Sequence, residues 1–233
     1  MVRERSSRWS LQGGTVCALC GAQAQSACGL CCGCRGDLPY GGPCCRRCAL
    51  PLVGADLCGR CQRRPPPYYR VYAPFLYQAP IDGLIYGAKY HQRLSDARSL
   101  GVLLAEYVAG LGDDKPQVII PVPLHGRRLR ERGYNQALEI ARLPARALGV
   151  RLDVGCCVRT RATSPQAQLG SRARRRNIKG AFALARAPQG RHVAIVDDVM
   201  TTGGTVAEMA GVLSRAGVAR VDIWVCARAP FPG

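Results

Sequence analysis

Hydrophobic and polar positions fall into two regimes along the chain. Residues 1–64 sustain no period of two or of 3.6, whereas from residue 68 onward short apolar runs alternate with stretches of helical spacing. Tyr68–Tyr77, rich in aromatic and β-branched residues, predicts a strand. Ile81–Tyr90 and Ser99–Ala109 carry apolar residues at helical spacing. Gln117–Val122 reads as a short buried strand ended by Pro121 and Pro123. Asn135–Leu148 predicts a helix, with Pro144 as a kink and Gly149 as a stop. Val150–Val158 is a further strand candidate. Thr160–Lys179 is polar, basic and aperiodic, so it is expected to be mostly loop. Ala181–Leu184 and His192–Val196 predict strands, Gly204–Ala216 a helix closed by Gly217, and Arg220–Ala227 a final strand. Such alternation implies an α/β fold, a mostly parallel sheet flanked by helices. The segment Arg63-Arg64-Pro65-Pro66-Pro67 is a stiff connector, because each proline fixes its own backbone and restrains its predecessor. It divides the chain into a Cys-rich module, 1–64, and an α/β domain, 65–233.

Composition narrows the possibilities. With 48% apolar residues the 233-residue chain can bury a real core and is not a disordered basic tail. No apolar run approaches the roughly 18–20 residues of a membrane helix, so no transmembrane segment is expected. The first ten residues lack the apolar centre of a secretory leader, which predicts a cytoplasmic protein. The formal charge is +18, and 15 arginines with Lys179 face only Glu131, Glu139 and Asp153 between Pro123 and Arg191. This stretch is the electrostatic centre.

Eleven of the 14 cysteines lie between Cys17 and Cys61. In a reducing compartment that density favours metal over disulfides. Four Cys-x-x-Cys pairs stand out: Cys17 with Cys20, Cys31 with Cys34, Cys45 with Cys48, and Cys58 with Cys61. Two such turns complete one tetrahedral thiolate site, so eight thiolates suit two structural zinc ions. Sequential and interleaved pairing of the turns both satisfy the stoichiometry. Cys28, Cys32 and Cys44 are additional thiols near the pairs.

The segment His192–Thr205 carries the most chemistry. An apolar run ends in Asp197 and Asp198, followed by Thr201, Thr202, Gly203, Gly204 and Thr205 and then a helix. Glycines let backbone N–H groups approach an anion, and the helix N-terminus adds unpaired donors. The threonines offer hydroxyls to phosphate oxygens, and adjacent carboxylates at a strand end suit the two hydroxyls of a ribose. No Gly-Lys-Ser/Thr follows, which disfavours a nucleoside triphosphatase. Among the histidines, His125 has two open readings, ligand contact or turn-stabilising hydrogen bond, while His91 and His192 read as surface or edge residues. Cys156, Cys157 and Cys226 read as small buried residues, and Tyr68, Tyr69 and Tyr72 as core.

Val193–Thr205 resembles the signature of type I phosphoribosyltransferases, which bind 5-phosphoribosyl-1-pyrophosphate (PRPP). The Cys-rich module, Pro121-Val122-Pro123-Leu124-His125, Arg127–Gln136 and Arg174–Phe182 resemble the ComF family of competence proteins, over nearly the whole span from Cys17 to Arg228. The resemblance implies a type I phosphoribosyltransferase-like fold with an N-terminal zinc-ribbon module. It implies that Asp197 and Asp198 hold the ribose hydroxyls and that Thr201–Thr205 cradle the 5-phosphate. Val122, Pro123, Leu124 and His125 would form the pyrophosphate loop. Thr163–Lys179 would be a mobile loop closing over the site. Arg127, Arg128, Arg132, Arg172, Arg174, Arg175 and Arg176 are candidates to neutralise pyrophosphate, with Lys89 a further one. Magnesium would accompany PRPP. Single-stranded DNA and other competence proteins are the implied partners, with peripheral association at the inner-membrane competence machinery. The alternatives are a phosphoribosyltransferase of nucleotide salvage and a non-catalytic PRPP sensor.

Overall fold

The computed structural model describes residues 15–112, 114–162 and 178–230. In the N-terminal segment β1 (Thr15–Val16) pairs antiparallel with β2 (Gln23–Ala24), followed by two single-turn helices, α1 (Cys32–Gly36) and α2 (Gly59–Arg63). After the proline connector come β3 (Arg70–Tyr72), β4 (Phe75–Leu76), α3 (Ile81–Tyr90), α4 (Leu94–Ala109), β5 (Val118–Pro121), α5 (Gly126–Arg132), α6 (Gln136–Leu148) and β6 (Arg151–Leu152). The chain continues through β7 (Cys157–Arg159), β8 (Phe182–Leu184), β9 (His192–Met200), α7 (Gly204–Arg215) and β10 (Arg220–Arg228).

The central sheet has the order β3-β10-β9-β5-β6, with β4 also beside β10, and every pair in it is parallel. Both faces are covered, as a parallel sheet requires. On β9, Val193 and Ile195 face one core and Ala194 and Val196 the other; Val221, Ile223 and Val225 alternate in the same way with Trp224 and Cys226 on β10. The first core is closed by Val206, Met209, Ala210 and Leu213 of α7. The second is closed by Leu84 and Ile85 of α3, Leu100 and Leu104 of α4 and Ile140 and Ala141 of α6. The Cys-rich segment joins both: Cys45, Cys48, Cys58 and Cys61 lie in the first core, and Cys17, Leu30 and Leu38 in the second.

Five elements differ from the sequence pattern, the first being α4, which begins at Leu94 rather than at the expected Ser99. The Tyr68–Tyr77 strand is interrupted between β3 and β4 at Ala73-Pro74, where proline has no N–H for the ladder. Val150–Val158 divides: β6 stays in the central sheet, while β7 leaves to pair antiparallel with β8. Buried Asp153 makes the corner, its Oδ1 accepting from the N–H groups of Gly155 (3.1 Å) and Cys156 (3.0 Å). β9 runs beyond the apolar stretch, through both aspartates to Met200, because β10 continues alongside it. Helix α5 is hidden in the sequence by its arginines; His125 caps its start and Gly133, at φ 81°, ends it. Residues 163–177, most of the expected basic loop, lie outside the described residues, and with them Arg172, Arg174, Arg175 and Arg176.

Candidate functional site

The carboxyl-terminal end of β9 brings two acids together. Side chains alternate along a strand, so Asp197 and Asp198 leave on opposite faces; Asp197 keeps partial access to solvent and Asp198 is 2% exposed. Lys89 reaches from α3 to place Nζ 2.9 Å from Asp198 Oδ1. The other oxygen, Oδ2, is buried without a hydrogen-bond partner among the described residues. Burial, reinforced by the neighbouring Asp198 charge, lifts Asp197 to about 7 against the pull of Lys89. Burial also works against the Lys89 ammonium, but attraction to Asp198 and Asp197 outweighs it and raises its pKa.

The turn that follows is held from behind by arginines. Arg228, 1% exposed, donates from Nη1 to the carbonyls of Met200 (3.0 Å) and Thr201 (2.6 Å) and from Nε to that of Cys48 (2.9 Å). Arg60 Nη1 donates to the carbonyl of Thr202 at 3.1 Å. Gly203 begins α7 at φ 76°, a conformation that favours glycine, and a Cβ there would lie 2.6 Å from Met200 Cε. The Cys-rich segment therefore positions the loop, a coupling that no local pattern reveals.

A cleft of about 400 Å³ opens over the acids. Its walls include Asp197, Asp198, Thr201 and Thr205 from the β9–α7 region, Val122 and Leu124 after β5, Arg128 and Arg132 of α5, and Lys89. Buried Thr202 and half-buried Gly204 instead line a neighbouring cavity of about 820 Å³ beside α2 and the proline connector. Pro123, His125 and Arg127 do not line the cleft. His125 Nδ1 accepts from the Arg127 N–H at 3.2 Å, the turn-stabilising one of its two readings. Arg127 pairs with Glu131 at 2.8 Å on the exposed side of α5. His192 lies at the start of β9, where its Nε2 is 2.8 Å from Asp222 Oδ2.

Three features escaped the sequence reading. Arg159 of β7 also lines the cleft, and burial holds both it and Arg132 below the ordinary arginine value. Asn135 fixes the turn after β5: its Nδ2 donates to the Val122 carbonyl at 3.0 Å while its Oδ1 caps α6. Its N-cap position before a clear helix was the available signal. Tyr77, Tyr86 and Tyr90 complete the wall; Tyr68 and Tyr72 are core, as expected, whereas Tyr69, expected there too, is 56% exposed, with the Arg220 guanidinium 4.3 Å from its ring centroid.

The cysteines resolve into two quartets, Cys17-Cys20-Cys31-Cys34 and Cys45-Cys48-Cys58-Cys61, with all sulfurs of each within 4.8 Å of one another. The pairing is sequential, and Cys28, Cys32 and Cys44 belong to neither quartet. Cys20 and Cys31 sulfurs are 3.7 Å apart, as are those of Cys48 and Cys58. A tetrahedron with Zn–S bonds of about 2.3 Å has edges of about 3.8 Å, so the donor sets fit zinc. Each quartet also favours one anion. Desolvation opposes the Cys17 thiolate, but N–H donors from Cys31, Cys20 and Leu19 overcome it and bring it to about 6. Desolvation likewise opposes the Cys45 thiolate, and N–H donors from Cys58, Cys48 and Arg47 bring it to about 7.

Residues 103–230 match the phosphoribosyl transferase domain. DNA utilization protein YhgH of Escherichia coli O6:H1 is 42% identical over 191 residues, covering 79% of this chain and 83% of that protein. Competence protein F of Haemophilus influenzae is 35% identical over 215 residues, covering 86% of this chain and 91% of that protein. The chain belongs to the ComF family. In this ComF-family chain the domain match takes in the acids, the threonine turn and the arginines of α5, and leaves out α3 and the Cys quartets. A purine phosphoribosyltransferase from Pyrococcus horikoshii is 20% identical, with a TM-score of 0.33 over 57% of this chain and 85% of that one. No helix among the described residues is long and apolar enough to cross a membrane.

Proposed function

We propose that the cleft binds PRPP and supports transfer of its phosphoribosyl group. The observation that carries this reading is the convergence of the acid pair, Thr201 and Thr205 at the start of α7, and Arg128, Arg132 and Arg159 on one cleft. Asp198 Oδ2, buried and unpartnered among the described residues, is an acceptor awaiting a hydroxyl donor. In this reading Asp197 and Asp198 take the ribose hydroxyls, and the Thr201–Thr205 turn with the first N–H groups of α7 takes the 5-phosphate. Val122 and Leu124, the residues of the turn after β5 that line the cleft, would lie along the pyrophosphate. Arginines pair with its oxygens through planar, two-pronged donors. Breaking the bond between C1 and pyrophosphate leaves positive charge on the sugar and negative charge on the leaving group. The chain's task is to orient the one and neutralise the other. Magnesium, when bound, would neutralise pyrophosphate, taking most of its ligands from substrate and water with Asp197 the partly exposed carboxylate nearby. The two quartets would each hold a structural zinc.

Calorimetric titration with PRPP and magnesium tests the reading. Wild type is expected to bind and Asp197→Ala/Asp198→Ala to lose binding; equal binding by both refutes it. Release of pyrophosphate in the presence of a panel of bases then separates turnover from sensing.

A second role, handling single-stranded DNA in competence, is supported by what the relatives are called, DNA utilization protein and competence protein, and by the arginine-rich stretch from Pro123 to Arg191. Phosphate contacts of that kind release counterions, so affinity is expected to fall steeply with salt. A mobility-shift assay at two salt concentrations measures it, and absence of a shift at low salt refutes it.

A further inference from the structure

The threonine-glycine turn separates two spaces. Thr201 and Thr205 line the cleft over the acids, whereas Thr202 and Gly204 line the cavity of about 820 Å³. Six cationic side chains line that cavity: Arg60, Arg63 and Arg64 from α2 and its end, Lys179 ahead of β8, Arg215 at the end of α7 and Arg228 of β10. Glu208 is the one acid on its wall among the described residues, and its Oε1 already accepts from the Gly180 N–H at 2.8 Å. Arg60 and Arg228 brace the turn. The side chains of Arg63, Arg64, Lys179 and Arg215 form no ion pair among the described residues. Tyr68, Ile178, Met200 and Pro66 supply an apolar wall. Like charges gathered with so little carboxylate repel one another, and an anion among them reverses the sign of that energy.

We propose that this cavity is a second ligand site, for a free nucleoside phosphate, and that its occupancy acts on the turn from behind. Small-molecule sites enclose roughly 300–1,000 Å³, so a concave space of this size suits a small molecule rather than the flat face of a partner protein. Planar guanidinium groups pair with phosphate oxygens, and the apolar wall suits the base. Prolines of the connector form part of that wall, which is therefore preformed. Arg60 links the two spaces: it lines the cavity and donates from Nη1 to the Thr202 carbonyl at 3.1 Å. A phosphate that draws on Arg60 weakens this brace, and anions on the two sides of one turn repel each other. The expected coupling is negative, and this part of the proposal rests on the PRPP reading of the cleft. The domain match begins at residue 103, so it assigns no role to α2 or the connector.

Zinc-loaded wild type, Arg63→Gln/Arg64→Gln/Arg215→Gln and Arg128→Gln/Arg132→Gln are titrated with ADP by calorimetry. The three arginines of the first variant are exposed, so its folding is expected to persist, and circular dichroism checks all three proteins. ADP affinity should fall about tenfold or more in the first variant and stay within about twofold in the second. The reverse pattern puts ADP in the cleft and overturns the proposal, as does a wild type that binds no ADP. Weakened binding of a single-stranded oligodeoxynucleotide by the first variant, with ADP affinity unchanged, makes these arginines a strand contact and also overturns it. PRPP titrations then read the coupling. Saturating ADP should weaken PRPP binding by about fivefold or more and then have no further effect, because coupling between two sites saturates and competition for one site does not. A loss that grows with every increment of ADP therefore overturns the second site. PRPP affinity that ignores ADP in wild type refutes the action on the turn. The first variant should bind PRPP within about twofold of wild type, with or without ADP. A wild type that binds ADP through Arg63, Arg64 and Arg215 but binds no PRPP removes the phosphoribosyl reading and leaves the second site standing.

Discussion

Replacing Lys89 by Met tests the electrostatics of the acid pair most directly. The ammonium lies 2.9 Å from Asp198 Oδ1, with the lysine side chain 20% and the aspartate side chain 3% exposed. At an effective dielectric near 20, two unit charges at that distance attract by about 5–6 kcal/mol before desolvation is charged against them. Removing one partner of a buried pair generally costs about 3–5 kcal/mol, because the other is left as an uncompensated charge. The residual water access of Lys89 places the expected loss near the lower end, about 3 kcal/mol. Asp198→Asn in the same background removes the stranded charge, so the two substitutions together should cost about 2 kcal/mol less than their sum. Urea unfolding of the four zinc-loaded proteins at pH 8 measures this coupling. Additivity within about 0.5 kcal/mol would mean that Lys89 is a solvated neighbour and that the charge balance argued above is wrong. Asp197 supplies an independent readout: losing the lysine's attraction moves its pKa further above about 7.

Asp197 also sets a pH dependence. Its folded pKa lies above the unfolded value, so its stabilising contribution is complete below the unfolded carboxylate range and is lost as pH rises toward about 7. The span corresponds to a ceiling of about 4 kcal/mol, lowered by partial exposure. Asp197→Asn should therefore flatten the stability profile between pH 5 and 8, and a profile identical to wild type counts against the shift. Gly101→Ala should cost about 1–3 kcal/mol, because its Cβ would lie 3.0 Å from the Ile140 carbonyl where α4 crosses α6. A thermal melt at or above wild type, as helix propensity alone would give, refutes that packing. Chromophoric metal analysis should find two zinc ions, one after Cys58→Ser, and still two after Cys44→Ser; an unchanged count in Cys58→Ser rejects the quartet assignment.

Legibility differed by element. α3 coincides with the predicted Ile81–Tyr90, because a strong apolar period leaves little choice of face. α6 matched within one residue, since Asn135 and Gly149 are chemically explicit caps. β7 was misread as a continuation of β6, because Asp153 turns the chain with its own side chain and Arg186. α5 was missed because a short helix with little apolar surface has no period to read.

Local spacing alone determined the count of metal-ligand pairs, the twin acids and the threonine-glycine turn, since each works through neighbours a few residues apart. Tertiary structure decided which Cys-x-x-Cys pairs share an ion, that Lys89 sits on Asp198, that Arg60 and Arg228 brace the turn, and that Tyr86, Tyr90 and Arg159 face the same cleft. These contacts join segments up to 180 residues apart. They depend on how whole helices pack against strand ends, and the repeat of apolar positions within one element says which face is buried but not whose side chains await it.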